Sequence, residues 1–129
     1  MSRMLLKVPL ELRAKHSLEE RENFHGHVWR ITVAVTGPLE DGRIASLPAL
    51  QAELDQYIAP LQDTVLNSHP QLDDQTRATP TCECLALYLE KQFAKSLRKS
   101  EWEKLRLTEI EVAVDELDGE QTGSAVLVF

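Results

Sequence analysis

Residues 25–36 alternate between ring-bearing or branched side chains and smaller or polar ones, and this pattern constrains the fold more than any other feature of the chain. Successive side chains of a β-strand point to opposite faces, so the alternation predicts a half-buried strand with one apolar face. Its odd-numbered positions form that face: His25, His27, Trp29, Ile31, Val33 and Val35. Two histidines therefore begin the apolar face of a strand.

His25 and His27 stand two residues apart, so both imidazoles project from one face with only Gly26 between them. His16 ends another alternating stretch upstream, and in a hairpin it reaches the same point from the neighbouring strand. Three neutral nitrogen ligands with an open fourth position are typical of a catalytic zinc. The alternative is a set of polar residues without a metal. Three of the four histidines fall within residues 16–27, which favours the metal.

Alternation also predicts strands near both ends of the chain. The first predicted strand spans residues 4–18, and polar residues 17–23 form the loop to the strand of residues 25–36. Strands over residues 107–116 and 124–129 close the chain. The residues that share the parity of His16 in the first strand are Leu6, Val8, Leu10, Leu12 and Ala14.

Helical spacing fills the middle of the chain. Ser46 suits the N-cap of a first helix, which Pro60 ends or kinks. Polar residues 68–79 predict a loop, and Thr79-Pro80 predicts the start of a second helix because proline is favoured in the first helical turn. The apolar stripes are Leu47, Leu50, Leu54, Ile58 and Leu61 in the first helix and Leu85, Leu89, Phe93 and Leu97 in the second.

The element order ββααββ predicts an α+β fold, in which a four-stranded antiparallel sheet carries both helices on one face. With 129 residues and 43% apolar content, residues 1–129 are expected to form a single domain. A sheet of this kind has two open edges, so the pattern also predicts an oligomer that closes them.

Composition and charge disfavour several classes of protein. The net charge of −7 and the lack of a basic run argue against a nucleic-acid partner. No stretch has the roughly 20 apolar residues of a membrane span, and residues 1–13 lack the features of a signal peptide, which predicts a cytoplasmic protein. Cys82 and Cys84 are too close in the chain to bond each other well, so we expect reduced thiols.

Six short motifs occur in an order and spacing that recur in one protein family. They are Ala14-Lys15-His16, His25-Gly26-His27, Asp41-Gly42, Leu66-Asn67, Thr81-Cys82-Glu83 with Leu85-Ala86, and Val112-Ala113-Val114-Asp115-Glu116. Through them the chain resembles the 6-pyruvoyl-tetrahydropterin synthase and 6-carboxytetrahydropterin synthase family over nearly its whole length.

The resemblance implies the tunnelling fold, in which ββααββ subunits join their sheets into barrels as homotrimers or homohexamers with shared active sites. It implies 7,8-dihydroneopterin triphosphate as the substrate. Glu116 matches the glutamate that anchors the pterin ring, and Thr81 and Glu83 match positions that line the same pocket. Taken alone, Glu116 is an ordinary strand-end acid and the other two are ordinary helix-start residues. The resemblance also implies a Zn²⁺ cofactor whose ligands are His16, His25 and His27.

Three departures separate the chain from members that make pyruvoyl- or carboxytetrahydropterin. The catalytic cysteine that precedes His-Gly-His is absent from residues 19–24, so thiolate catalysis from that loop is excluded. The family's Leu-Asp-His-x-x-Leu-Asn segment aligns with residues 61–67, where Gln62-Asp63 replaces the Asp-His relay. Ser46-Leu47 replaces the usual Asp-Phe before the first helix. Asp63 and the nearby His69 stay open as candidate bases.

Glu22 precedes His25-Gly26-His27 at a spacing similar to the Glu-x-x-His-Gly-His motif of a third class in this family. In that class a glutamate replaces the cysteine, and cleavage of the side chain gives 6-hydroxymethyl-dihydropterin for folate synthesis. Zinc would lower the pKa of the substrate's hydroxyls, and Glu22 would transfer the proton. The same short pattern can also arise by chance in a charged loop that holds Glu19 and Glu20.

Two other functions stay open. One is a divergent 6-carboxytetrahydropterin synthase of queuosine biosynthesis, against which the missing cysteine weighs. The other is a non-catalytic family member that keeps zinc and pterin binding. Cys82 at a helix N-terminus is a candidate replacement nucleophile, although a small buried thiol is the commoner role for such a residue.

Overall fold

The computed structural model describes residues 3–17, 25–115 and 121–129. The predicted α+β fold is confirmed, and each described long strand agrees with its predicted span to within three residues at either end. Short 3-10 turns lie at Ala59–Leu61, Leu66–Ser68 and Ser100–Trp102. The elements in chain order are β1 (Leu6–His16), β2 (His25–Thr36), α1 (Leu47–Asp55), β3 (Thr64–Val65), α2 (Asp74–Ala78), α3 (Cys82–Leu97), β4 (Arg106–Asp115) and β5 (Gln121–Val128).

The described strands form one sheet in the order β3-β1-β2-β4-β5. The four long strands pair antiparallel, whereas β3 runs parallel to β1 and pairs with Ala14 and Lys15. The predicted four-stranded sheet therefore lacked β3, which has only two residues and no alternation that the sequence could reveal. β3 covers the end of β1 that carries His16.

Burial alternates along β1 as predicted, and its even-numbered side chains face the helices. In the register of β1 and β2, Leu12 lies opposite Trp29 and Ala14 lies opposite His27, so both strands turn their apolar parity toward one layer. α1 packs against β1, and α3 packs against β4 and β5. Each fully buried leucine or isoleucine in this core contributes about 1.5–3 kcal/mol through the hydrophobic effect. The histidines lie where this core meets the end of the strands.

The first helix is shorter than predicted. α1 begins after Ser46, as expected, but ends at Asp55, and Pro60 lies in the following 3-10 turn. Ile58 and Leu61 are nevertheless fully buried, because the turn carries them back onto the core. The apolar spacing therefore predicted correctly which residues are buried, but the helix length predicted from it was wrong.

The second predicted helix also begins later than expected. α3 starts at Cys82 with Thr81 as its N-cap, rather than at Thr79-Pro80. The predicted loop over residues 68–79 contains the short helix α2, whose N-cap Asp73 accepts a hydrogen bond from a backbone amide. A helix of five residues is too short to show an apolar period. No helix in the described part of the chain is long and apolar enough to cross a membrane.

Candidate active site

His16 and His27 lie together on the helix-facing side of the sheet, at the end of the β1–β2 pair where β1 stops and β2 starts. Their ring centroids are 4.8 Å apart and their rings meet edge to face. Each side chain is only 5% exposed. The indole of Trp29 packs edge-on against both rings and donates a hydrogen bond from Nε1 to the carbonyl of Ala14 at 3.3 Å. The pair is therefore held in a buried, aromatic setting.

A backbone carbonyl fixes the proton position on His16. Its Nδ1 lies 2.8 Å from the carbonyl oxygen of Pro80, and because a carbonyl only accepts, Nδ1 carries the proton. The Nε2 lone pair is then the one that can bind a metal. A metal-bound histidine usually donates its other N–H in this way to a carboxylate, carbonyl or water. The contact therefore suits a histidine ligand.

The same contact brings the start of α3 next to the histidines. Pro80 directly precedes Thr81, whose Oγ1 accepts a hydrogen bond from the amide of Cys84 at 3.1 Å and caps the helix. Glu83 in the first turn is exposed. Thr81 and Glu83, both predicted to line the pocket, thus lie at the start of α3, next to the Pro80 carbonyl that His16 contacts.

The register places the backbone of His25 directly opposite His16, while the side chain of His25 lies outside the described part of the structure. Two further predicted residues, Glu22 and Glu116, also lie outside the described residues. Among the residues that are described, no three His, Cys, Asp or Glu side chains cluster closely enough to hold a metal. The structure thus brings together two of the three predicted ligands.

Asp63 lies beside a cavity of about 450 Å³ that is also lined by Arg13, Lys15, Gly26 and His27. Its backbone is left-handed, with a φ of 59°, and its amide donates a hydrogen bond to the carbonyl of Arg13 at 2.6 Å. The exposed carboxylate of Asp63 and the two cations therefore flank the same opening.

His69, the other candidate base, uses both ring nitrogens in hydrogen bonds to the backbone. Its Nδ1 accepts a hydrogen bond from the amide of Gln71 at 3.1 Å, so the proton lies on Nε2, which donates to the carbonyl of Pro60 at 3.0 Å. The two bonds tie the segment of His69 to the turn that contains Pro60, which makes His69 a structural residue.

Cys82 is a weak nucleophile in this structure. Burial at the start of α3, together with the charge of Glu83, raises the pKa of its thiol to about 11. Thiolate is the reactive form, and a raised pKa leaves little of it at neutral pH. The position at a helix N-terminus does not overcome the loss of hydration.

Sequence reasoning missed two side-chain amides that hold β1 next to the site. Gln62 contacts the β1 backbone, and Asn67 contacts the backbone of Ser17, which follows His16. In the sequence, Asn67 stands out only as part of the Leu66-Asn67 motif. The partners are about 50 residues apart in the chain, so no local pattern could have paired them.

Comparison with known families agrees with the fold and the motifs. The family model for 6-pyruvoyl tetrahydropterin synthase matches residues 6–120, which is most of the chain. The chain belongs to the 6-pyruvoyl tetrahydropterin synthase family. A comparison with individual curated proteins gives no significant match.

Solved structures share the fold of this family member over almost its full length. The Caenorhabditis elegans 6-pyruvoyl tetrahydropterin synthase has 17% sequence identity and a TM-score of 0.69, covering 100% of this chain and 99% of its own. An uncharacterised protein from Wolinella succinogenes, WS1659, has 12% identity and a TM-score of 0.71, with 99% of both chains covered. A Plasmodium vivax 6-pyruvoyltetrahydropterin synthase, a catalytic-residue mutant with glutamate changed to alanine, has 12% identity, a TM-score of 0.63 and coverage of 98% and 99%.

Proposed function

We propose that this family member is a zinc-dependent pterin lyase that acts on 7,8-dihydroneopterin triphosphate and gives 6-hydroxymethyl-dihydropterin for folate synthesis. The observation that carries the proposal is the buried pair of His16 and His27 at the end of the hairpin, with the Nδ1–H of His16 bonded to Pro80. This is the setting expected of neutral histidine ligands.

The residues fit zinc. Two imidazoles that share a tetrahedral zinc have ring centres on the order of 5 Å apart, close to the observed spacing of His16 and His27. His25, whose backbone is paired with His16, supplies the third ligand. When bound there, zinc acts as a Lewis acid that lowers the pKa of the substrate's hydroxyls.

Glu22 is the residue that we propose for proton transfer. It stands three residues before His25, so chain length alone keeps the two Cα atoms within about 11 Å. The Plasmodium vivax relative, whose catalytic residue is a glutamate, supports a carboxylate in this role. Cys82, with its raised pKa, is a poor alternative.

The proposed cleavage is a retro-aldol reaction, in which every proton and electron pair is accounted for. Glu22 takes the proton of the hydroxyl on the second side-chain carbon, which becomes an aldehyde that keeps the triphosphate. The bond between the first and second side-chain carbons breaks, and its electron pair stays on the first carbon. A proton is then returned to that carbon, which leaves a hydroxymethyl group on the dihydropterin. Asp63, in the segment that aligns with the family's Asp-His relay, is a second candidate for moving this proton.

The pterin ring is assigned to Glu116, Thr81 and Glu83. Glu116 directly follows Asp115, whose partner in β2 is Val28, the neighbour of His27. A carboxylate there can accept hydrogen bonds from the N–H groups of a pterin. Thr81 and Glu83 lie at the start of α3, next to the Pro80 carbonyl that His16 contacts, which supports their place in the pocket.

We propose a homotrimer or homohexamer as the working form. β5 is the outer strand of the described sheet, and its end exposes Val126, Val128 and Phe129. Pairing with a neighbouring subunit would cover this edge and complete the shared pocket. Light scattering tests the assembly directly, and a folded monomer at micromolar concentration would contradict the barrel.

Product analysis tests the function. The zinc-loaded protein is incubated with 7,8-dihydroneopterin triphosphate, and the pterins are separated by chromatography with mass detection. We expect 6-hydroxymethyl-dihydropterin and a two-carbon aldehyde triphosphate. A carboxytetrahydropterin product would instead assign the chain to the queuosine branch.

A non-catalytic role is the second candidate, because Gln62 occupies a position of the family's Asp-His relay. Its side-chain amide makes hydrogen bonds to the β1 backbone. Pterin binding without any conversion in the same assay would favour that role. A calorimetric titration with a pterin, run beside the turnover assay, separates binding from catalysis.

A further inference from the structure

Residues 62–67 run along the outer edge of β1. Side chains at both ends of this segment make hydrogen bonds to backbone groups of β1 and of the residue that follows it. In the middle, β3 pairs with Ala14 and Lys15. At one end, the amide of Gln62 accepts a hydrogen bond from the Arg13 N–H at 2.9 Å and donates one to the Glu11 carbonyl at 2.7 Å. This side chain, the Gln62 clamp, takes the place of a peptide group on a neighbouring strand.

Asn67 does the same at the other end. Its Oδ1 accepts a hydrogen bond from the Ser17 N–H at 2.9 Å, and its Nδ2 donates one to the Ser17 carbonyl at 2.7 Å. Ser17 is only 6% exposed, so these backbone groups lie away from solvent. A buried peptide group that loses its partner costs about 1–3 kcal/mol. We call this contact the Asn67 clamp.

The two clamps differ in their distance along the chain from the candidate ligands. The Gln62 clamp ends at Arg13, three residues before His16, whereas the Asn67 clamp holds the peptide that directly follows His16. His16 is thus held through its ring by Pro80 and, through the Ser17 N–H of the peptide that follows it, by Asn67.

We propose that Asn67 is a positioning residue of the metal site. Its amide holds the Ser17 peptide so that the His16 ring keeps its hydrogen bond to Pro80 and directs Nε2 to the metal. This proposal rests on the proposed function, because it requires His16 to be a zinc ligand. Residues that hold a ligand in this way typically change metal affinity by 10–100-fold when mutated.

The test compares Asn67→Ala with Gln62→Ala in the full-length chain. Each substitution removes a side-chain amide that makes two hydrogen bonds to the backbone of β1 or of the residue that follows it. If Asn67 only stabilised the fold, the two variants would therefore have similar effects on zinc binding. Zinc affinity is measured by competition with a chromophoric chelator, and melting temperature is measured without metal. We expect Asn67→Ala to bind Zn²⁺ about 10-fold more weakly, whereas Gln62→Ala lowers the melting temperature and keeps wild-type affinity.

Bound cobalt gives a second measurement, which does not depend on the stability of the variant. The visible absorption of bound Co²⁺ reports ligand geometry, and we expect it to change in Asn67→Ala and to stay the same in Gln62→Ala. If Asn67→Ala does not fold, Asn67→Ser serves instead, because its shorter side chain does not span both Ser17 groups. Wild-type zinc affinity and an unchanged cobalt spectrum in the folded Asn67 variant would overturn the positioning role alone. Failure of the wild-type protein to bind zinc would overturn this role and the proposed zinc site together.

Discussion

His16 and His27 face each other edge to face across the β1–β2 pair, with 4.8 Å between their ring centroids. If both bind zinc, the purified protein should carry about one zinc per subunit, and His27→Ala should lose most of it. Metal analysis by mass spectrometry measures the difference. His69→Ala is the matched control, because both nitrogens of His69 are hydrogen-bonded to the backbone, at Pro60 and Gln71. Undiminished zinc in His27→Ala would remove His27 from the ligand set.

Glu22→Gln tests proton transfer. The amide keeps the size of the side chain and loses the base, so turnover of 7,8-dihydroneopterin triphosphate should fall by about 10²–10⁴ while zinc content stays the same. Glu20→Gln, a change of the same kind in the same stretch of sequence, should keep wild-type turnover. Equal turnover in the two variants would show that Glu22 is not the proton-transfer group.

A carboxylate network joins the helices and should make stability depend on pH. Glu53 on α1 accepts hydrogen bonds from Lys99 at 2.9 Å, Ser96 at 2.7 Å and Trp102 at 3.3 Å. The Glu53 side chain is 12% exposed. The hydrogen bond from Lys99, followed by those from Ser96 and Trp102, outweighs burial and lowers the pKa of Glu53 below its ordinary value of 4.5. The folded state therefore prefers the ionised form.

Glu53→Gln should lower the free energy of unfolding by about 1–3 kcal/mol at pH 7, because it removes charge-assisted hydrogen bonds. The contribution of a carboxylate with a lowered pKa is complete above its ordinary pKa of 4.5 and disappears as the pH falls through the folded value. The difference between wild type and variant should therefore shrink at pH 3. Urea denaturation at both pH values measures it, with the exposed Glu101→Gln as control. An equal difference at pH 7 and pH 3 would contradict the role of the charge.

Cys82 should react slowly with alkylating agents. Its thiol pKa of about 11 keeps it protonated at pH 8, so iodoacetamide should modify Cys82 much more slowly in the folded chain than in urea. Peptide mass mapping follows the reaction. Cys82→Ser should also keep wild-type turnover. Equally fast alkylation in both states, or a large loss of turnover, would reopen a nucleophilic role for this residue.

Local sequence patterns predicted the parts of the fold that depend on interactions between residues close together in the chain. The alternation of β1 and β2 placed Leu12, Trp29 and His27 on the buried side, and the structure agrees. The contacts that orient His16 were not predictable in this way. Its partner Pro80 is 64 residues away, and Asn67 is 50 residues from Ser17. These contacts form only when the residues before α3 and the 3-10 turn after β3 pack next to the end of β1.

The sequence separation of these contacts links metal binding to folding. His16, His25 and His27 all belong to one hairpin, yet the groups that orient His16 come from Pro80 and Asn67. If these three histidines bind zinc, a hairpin fragment would hold the donors without the orienting groups, and we expect tight binding to need the complete tertiary structure. By thermodynamic linkage, a ligand that binds only the folded state shifts the unfolding equilibrium toward that state. Zinc bound at this hairpin would therefore stabilise the distant segments that orient it.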